Sequence, residues 1–196
     1  MKVVVFDRME ECTEAEVQRM LPLVSEQRRE QALKYKHTFG QFCCLKSWLM
    51  LFDFVEMSRY RDLEWKYNEH GKPYLANGPY FSISHCKEGI AVAINDAPIG
   101  VDIEAIRHAN EDLIERTMNE EEKRLIANSQ QPIADRIFTR LWTQKEAIVK
   151  AEGTGIMSFE QLQKTLVESL KFKVESVEKE KYIYSIAYGQ LCSISA

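Results

Sequence analysis

The sequence predicts an α+β protein built from two similar halves. Three observations predict this class: capped amphipathic helices precede short strands, the same order occurs twice, and the chain has neither a βαβ rhythm nor a G-x-G-x-x-G loop. Each half is expected to pack helices on a small antiparallel sheet. The halves are assigned to residues 1–98 and 99–196, and together they are expected to form one pseudodimeric unit.

The first half is predicted to begin with a strand at residues 2–7. Thr13-x-x-Glu16 has the pattern of a capping box and predicts a short helix ending near Leu21-Pro22. Ser25 can cap a second helix to about residue 34, and apolar residues at helical spacing predict a long helix over about 39–59. Further predicted strands are 65–67, 81–84 and 89–95, with a Gly71-Lys72-Pro73 turn between the first two.

The second half repeats the order of helices followed by strands. A strand is predicted at 99–103, a helix capped by Asn119 follows, and a long helix runs from Pro132 to about Ala151. Ser158 caps a further short helix. The tail is predicted to form strands at 172–174, 182–188 and 191–195.

Composition excludes several classes of function. The net charge of −4 argues against a general nucleic-acid binder, which carries a basic excess. No apolar run approaches the roughly 18 residues that span a bilayer, and no signal peptide is recognised, so a cytoplasmic protein without membrane contact is expected. The five cysteines show no C-x-x-C pair and are interpreted as buried apolar residues rather than as disulfides or a zinc site.

Two carboxylates end the predicted strand at 99–103. Side chains alternate along a strand, so Asp102 and Glu104 project from one face while Ile103 points to the core. Paired carboxylates repel unless a cation or a basic group separates them, and Mg²⁺ prefers such oxygen ligands. The alternative for this fragment alone is a solvated strand end.

A second charged pair lies on the long helix. Glu146 and Lys150 are four residues apart and share a helix face, which by itself also describes an ordinary exposed ion pair. Ser84-His85 follows the strand at 81–84. Because adjacent strand residues point apart and no G-x-S-x-G elbow is present, a Ser-His-Asp hydrolase is not favoured.

Together these fragments resemble the Sfp-type family of 4′-phosphopantetheinyl transferases. The resemblance covers roughly residues 25–160, and the motifs occur in the family's order at about its separations. They are Gly71-Lys72-Pro73, Phe81-Ser82-Ile83-Ser84-His85, Ile99-Gly100-Val101-Asp102-Ile103-Glu104, and Trp142-Thr143-Gln144-Lys145-Glu146-Ala147-Ile148-Val149-Lys150. Four ordered motifs are far more specific than any one of them.

The resemblance implies a site between the two halves. It implies Mg²⁺, with Mn²⁺ as a possible substitute, held by Asp102, Glu104 and Glu146. Glu146 would also act as general base and Lys150 would assist the leaving group. Coenzyme A would be the co-substrate, and the residues implied to bind it are Arg28, Lys72, Pro73, Ser84, His85, Asp102 and Lys150.

The resemblance further implies an apo acyl or peptidyl carrier protein as acceptor and a monomeric enzyme. The stretch from Ile106 to Lys123 is expected to contact the carrier through Arg107, Arg116, Met118 and Lys123; a mixed-charge surface helix is the alternative. Several positions depart from the family pattern, namely Gln31, Cys43-Cys44, Ser82 and Cys86. These departures leave open how the 3′-phosphate is held.

Two other functions stay open at this point. One is a Mg²⁺-dependent hydrolase of a nucleotide pyrophosphate, and the other is a non-catalytic module that binds coenzyme A or a carrier domain. Retention of all four charged residues of the two acidic motifs argues against the binding module.

Overall fold

The computed structural model describes residues 1–54, 65–155, 158–165 and 171–189. The helices are α1 Glu14–Met20, α2 Glu26–Leu33, α3 Thr38–Phe54, α4 Glu111–Thr117, α5 Glu120–Ala127, α6 Ile133–Glu152 and α7 Phe159–Lys164. The strands are β1 Lys2–Phe6, β2 Trp65–Tyr67, β3 Pro73–Leu75, β4 Tyr80–Cys86, β5 Gly89–Asn95, β6 Ile99–Ala105, β7 Lys173–Glu178 and β8 Tyr182–Tyr188. The mixture of helices and antiparallel sheets confirms the α+β class.

The helix starts follow the capping residues expected from the sequence. The side chains of Thr13, Ser25 and Ser158 each accept a hydrogen bond from a main-chain N–H three residues later. Asn119 forms a complete capping box with Glu122. These bonds satisfy donors that the first turn of a helix leaves unpaired, so the predicted starts of α1, α2, α5 and α7 are confirmed.

Two three-stranded antiparallel sheets form the centre of the molecule. Their strand orders are β1-β5-β4 and β6-β8-β7, and β2 and β3 form a separate two-stranded ribbon. In β5, Ile90, Val92 and Ile94 belong to the apolar cluster that includes α1 and α3. The intervening Ala91 and Ala93 pack against β6 and β8, so alternation along β5 gives each face its own core.

The two sheets meet where β4 lies beside β6. The hydroxyl of Ser82 accepts a hydrogen bond from the Val101 N–H at 3.0 Å, and that of Ser84 accepts one from the Ile103 N–H at 3.3 Å. Where β4 contacts β6, serine hydroxyls thus accept main-chain N–H groups that a carbonyl of a neighbouring strand would otherwise accept. The junction brings β4 against β6 and so joins the two sheets.

Some predicted elements differ from the structure. Helix α4 and strand β3 were not predicted, and β7 extends further than the predicted strand at 172–174. The last residues of the predicted helix over 39–59 and the predicted strand at 191–195 lie outside the described residues. Within the described ranges, no helix combines the length and apolar character needed to cross a bilayer.

The predicted burial of the cysteines is confirmed for Cys43, whereas Cys12, Cys44 and Cys86 are partly exposed. Cys12, Cys43, Cys44 and Cys86 are free thiols, while Cys192 lies outside the described residues. Burial raises the pKa of the Cys43 thiol to about 12 and that of Cys86 to about 11. Thiols protonated at neutral pH are poor nucleophiles, which supports a packing role for both residues.

Candidate active site

A close approach between α6 and β6 builds the site. A Cβ atom added to Gly100 would collide with the Ala147 carbonyl oxygen and the Ala151 nitrogen, so the helix backbone rests directly on the strand at this residue. Glu146 and Lys150 flank that contact on α6, and Asp102 follows it on β6. The lack of a side chain at Gly100 therefore allows α6 and β6, which carry the two acidic motifs, to lie in contact.

Lys150 and Asp102 are joined by a short ion pair. The Lys150 ammonium lies 2.6 Å from Asp102 Oδ1 and donates to the Ser84 hydroxyl at 3.0 Å. The Ser84 hydroxyl in turn donates to the same Asp102 oxygen at 2.8 Å. One carboxylate oxygen is therefore held from two sides, by side chains of β4 and α6.

The other Asp102 oxygen is in a different environment. Asp102 is only 3% exposed, and its Oδ2 atom is buried without a hydrogen-bond partner among the residues that the structure describes. A buried, unmatched carboxylate oxygen is costly, and most such atoms in proteins have a partner. This oxygen is therefore suited to a ligand that supplies positive charge.

Glu104 and Glu146 complete an acidic cluster. Burial, followed by repulsion from Asp102, raises the pKa of each carboxyl to about 7, although nearby Lys150 acts in the opposite direction. Glu146 and Glu104 also repel each other. The raised pKa values of Glu104 and Glu146 both include repulsion from Asp102, so the three carboxylates affect one another electrostatically.

The cluster fits a divalent cation in residue type and charge. Mg²⁺ and Mn²⁺ take oxygen ligands, and the unmatched Asp102 Oδ2 lies among carboxylates whose repulsion a cation would relieve. Within the described part of the chain, no three His, Cys, Asp or Glu side chains already stand in a coordinating arrangement. Asp102, Glu104 and Glu146 would therefore have to reorient to coordinate a cation.

The Gly71-Lys72-Pro73 turn is tied to the end of α6. Asn68 Nδ2 donates to the Gly153 carbonyl at 2.7 Å, and Asn68 Oδ1 accepts from the Lys72 main-chain N–H at 2.8 Å. The Lys72 ammonium donates to the main-chain carbonyls of Ile99 and Lys150. Burial and the charge of Lys150 lower the pKa of Lys72 to about 8.

His85 lies on the opposite face of β4 from Ser84. Its ring makes an edge contact with Phe39 at the start of α3, with 5.8 Å between ring centroids. Partial loss of solvation and the charge of Lys150 lower the pKa of His85. The imidazole is thus near enough to the charged cluster to respond to it.

Arg28 lies on α2 and contacts α3. Its guanidinium stacks 3.4 Å from the centre of the Trp48 ring, and Nη1 lies 3.5 Å from Cys44 Sγ. The contacts of Arg28 in the described part of the chain do not join it to the Asp102 cluster. Its predicted contact with coenzyme A stays a prediction.

The residues predicted to contact a carrier protein have different environments. Arg107 and Arg116 are exposed, and the Lys123 ammonium pairs with Glu115 and Glu120. Met118, however, is fully buried in the core beneath α4, α5 and α6. The prediction that Met118 touches the partner is therefore wrong, because a side chain without exposed surface offers no contact.

Three positions near the site were missed by the sequence analysis. Gly100 permits the helix contact, Asn68 fixes the Lys72 turn, and Lys145 is buried behind Glu146. A glycine inside a strand is a recognised sign of close backbone approach and could have identified Gly100. No comparable sequence signal distinguishes Asn68 from an ordinary turn residue.

Comparison with known proteins finds similar sequences. A family model described as the 4′-phosphopantetheinyl transferase superfamily matches residues 98–190. The 4′-phosphopantetheinyl transferase gsp of Aneurinibacillus migulanus is 36% identical over 89 residues, covering 45% of this chain and 38% of that protein. The 4′-phosphopantetheinyl transferase Sfp of Bacillus subtilis strain 168 is 26% identical over 151 residues, covering 74% of this chain and 66% of that protein.

A third relative comes from Salmonella typhimurium. The 4′-phosphopantetheinyl transferase AcpT of Salmonella typhimurium is 34% identical over 119 residues, covering 55% of this chain and 58% of that protein. The chain thus spans less than two thirds of the length of each of these three relatives. The family match begins at residue 98 and includes all three carboxylates and Lys150. These matches show that the chain is similar to 4′-phosphopantetheinyl transferases, with the family model covering residues 98–190.

Proposed function

We propose that this chain transfers the 4′-phosphopantetheine group of coenzyme A to a serine of an apo acyl or peptidyl carrier protein. Adenosine 3′,5′-bisphosphate is the second product. The observation that carries the proposal is the convergence of Asp102, Glu104 and Glu146 beside the Lys150 ammonium. An acidic cluster next to a fixed cation suits the binding of a diphosphate and the transfer of its outer part.

Asp102, Glu104 and Glu146 would hold the divalent cation, Mg²⁺ or Mn²⁺. When bound, the cation offsets the negative charge of the diphosphate and of the carboxylates. The unmatched Asp102 Oδ2 is the atom most in need of such a partner. Lys150 remains on Oδ1, on the other side of the same carboxylate.

Glu146 acts as the general base. A serine hydroxyl is a weak nucleophile, and a positioned carboxylate can accept its proton as the new bond forms. The serine oxygen bonds to the phosphorus next to the pantetheine arm, and the bond from that phosphorus to the bridging oxygen breaks. Lys150 neutralises or protonates the departing phosphate oxygen.

Lys72, Pro73, Ser84 and His85 surround this chemistry as the coenzyme A contacts. Burial and the charge of Lys150 lower the pKa of both Lys72 and His85, which supports a shared basic region. Lowered pKa values on both side chains favour a site that gains from an anionic ligand. Arg28, stacked on Trp48, would reach the 3′-phosphate.

The site forms between two related halves, residues 1–98 and 99–196. Ser84 belongs to the first half, while Asp102 and Lys150 belong to the second, and their hydrogen bonds cross the junction. Each half contains helices and one three-stranded antiparallel sheet, which supports an ancestral duplication. A single chain would then hold a complete site and act as a monomer. Arg107, Arg116 and Lys123 are the proposed carrier contacts.

A transfer assay tests the proposal. The chain is incubated with coenzyme A, Mg²⁺ and a panel of purified apo carrier proteins, and intact mass is measured. The expected result is a phosphopantetheine mass increase on a carrier serine that requires the divalent cation. Release of free phosphopantetheine at turnover rates without acceptor would instead identify a pyrophosphate hydrolase, and coenzyme A binding without either product would identify a binding module.

A further inference from the structure

Lys145 is a fully buried lysine directly before Glu146. Its side chain is 1% exposed, and the ammonium makes three contacts. It donates to the carbonyls of Thr117 at 3.0 Å and Leu162 at 2.9 Å, and it lies 2.6 Å from Glu122 Oε2. An ammonium has three N–H donors, so these partners use its whole hydrogen-bonding capacity.

The three partners come from three different helices. Thr117 ends α4, Glu122 lies in α5, and Leu162 lies in α7. Glu122 Oε2 also accepts the Asn119 N–H at 2.8 Å, which links the ion pair to the turn between α4 and α5. The Lys145 side chain therefore links α4, α5 and α7 to α6, the helix that carries Glu146.

The contacts of Lys145 exclude a role as a ligand of a substrate phosphate in this conformation. Every donor is directed to a protein acceptor, and burial separates the ammonium from solvent. Moving it toward a substrate would leave Glu122 as a buried, unpaired carboxylate, which is strongly unfavourable. Lys145 is thus committed to the helix junction.

We propose that Lys145 is a positioning residue that fixes α4 and α5, the proposed carrier-docking segment, at a set distance from Glu146. This inference rests on the proposed function. The α4–α5 segment follows the acidic strand β6 in the chain, and α6 presents Glu146 one residue after Lys145. Loosening the junction would misplace the carrier serine relative to its base while leaving the coenzyme A contacts on β4 and the Lys72 turn in place.

The experiment compares Lys145→Met with the double variant Lys145→Met/Glu122→Met in the transfer assay. The single variant leaves Glu122 unpaired, whereas the double variant replaces the ion pair by apolar side chains that can repack. For the single variant, we expect KM for the apo carrier to rise about tenfold while KM for coenzyme A stays within about twofold. The double variant should recover at least part of that rise.

Two further variants keep the test informative if Lys145→Met does not fold. Gln163→Ala removes donors to the carbonyls of Glu115 and Met118, which weakens the same α4–α7 junction without burying a charge. Gln163→Ala should raise KM for the carrier by a smaller factor than Lys145→Met does, and should leave KM for coenzyme A unchanged. Lys164→Met removes an exposed ammonium of α7 and should leave both KM values unchanged.

The alternative outcomes are distinct. A rise in KM for coenzyme A in both Lys145 variants, without recovery in the double variant, would show that Lys145 contacts the substrate. Unchanged KM for the carrier in Gln163→Ala and in any folded Lys145 variant would also overturn the inference. If the unmodified chain labels no carrier at all, the proposed function fails instead.

Discussion

The Lys150 ammonium lies 2.6 Å from Asp102 Oδ1 and joins helix α6 to strand β6. Because Ser84 donates to the same oxygen, Oδ1 is saturated while Oδ2 has no partner in the described part of the chain. The two oxygens of one carboxylate are thereby assigned different partners. Asp102 can keep its contact with Lys150 and still offer an oxygen to a cation.

Replacing Glu146 by glutamine should abolish most of the activity. The amide has nearly the same shape but cannot accept the serine proton, so we expect transfer to fall by about 10²–10⁴-fold. The initial rate of carrier labelling, followed by intact mass, gives the measurement. Glu152→Gln, on the same helix and paired with the exposed Lys171, is the matched control and should retain normal rates. A Glu146→Gln rate close to that of the control would remove Glu146 as the base.

Asp102→Asn should weaken cation binding. The substitution removes the charge that the Lys150 ammonium and the proposed cation share, and an amide is a poorer ligand than a carboxylate. In the unmodified chain, millimolar Mg²⁺ or Mn²⁺ should raise the melting temperature, because a ligand of the folded state stabilises it. We expect this increase to be lost in Asp102→Asn. An equal increase in both proteins would place the cation elsewhere.

The sequence predicted most helix starts because local chemistry determines them. Asn119 and Glu122 form the expected reciprocal cap, and Ser25 and Thr13 accept the expected main-chain bonds. The acidic pair of β6 was also predictable, since strand alternation alone places Asp102 and Glu104 on one face. These features depend on residues within a few positions of one another.

Long-range features were harder to predict. The burial of Met118 depends on how α4, α5 and α6 pack, and the pattern of charges around it resembled an exposed face. The partners of Lys145 come from residues 17 to 28 positions away, so no local pattern identifies them. The family resemblance predicts that Glu146 and Asp102 share a site, whereas the close approach of α6 to β6 at Gly100 is visible only in the structure.

The stability of the cation-free protein should decrease as pH rises through neutrality. Glu104 and Glu146 have pKa values raised to about 7, so the folded chain binds more protons than the unfolded chain between about pH 4.5 and 7. Their contribution to the free energy of unfolding is therefore present at low pH and lost as pH rises through the folded pKa. Urea unfolding in EDTA at several pH values measures it.

The double variant Glu104→Gln/Glu146→Gln isolates this effect from other titrating groups. It lacks both carboxyls with a raised pKa. As pH rises from 5 to 7, the unmodified chain should therefore lose unfolding free energy relative to the double variant. Added Mg²⁺ should reduce the difference at pH 7 and above, because bound cation stabilises the charged carboxylates. A difference that is independent of pH would show that these groups titrate normally.

Gly100→Ala should destabilise the fold and separate the two motifs. The added methyl group meets the backbone of α6 at Ala147 and Ala151, which cannot yield as a flexible side chain can. Overpacking of this kind costs about 1–3 kcal/mol and sometimes more. Urea unfolding measures the loss, and carrier labelling under folding conditions should also fall because α6 is displaced from β6. Unchanged stability and labelling rate would show that α6 can move away from β6 at no cost to the fold or to the activity.

Arg28→Gln tests the proposed 3′-phosphate contact. Hydrogen bonds to charged groups contribute about 1.5–3 kcal/mol, so KM for coenzyme A should rise by about 10–100-fold. With 3′-dephosphocoenzyme A as substrate, the same variant should behave like the unmodified chain, since the contacted group is absent. Arg29→Gln is the matched control, because its neighbouring guanidinium donates to the Leu21 carbonyl instead. If Arg28→Gln raises KM equally for both substrates, Arg28 acts through its stacking on Trp48 and not through the 3′-phosphate.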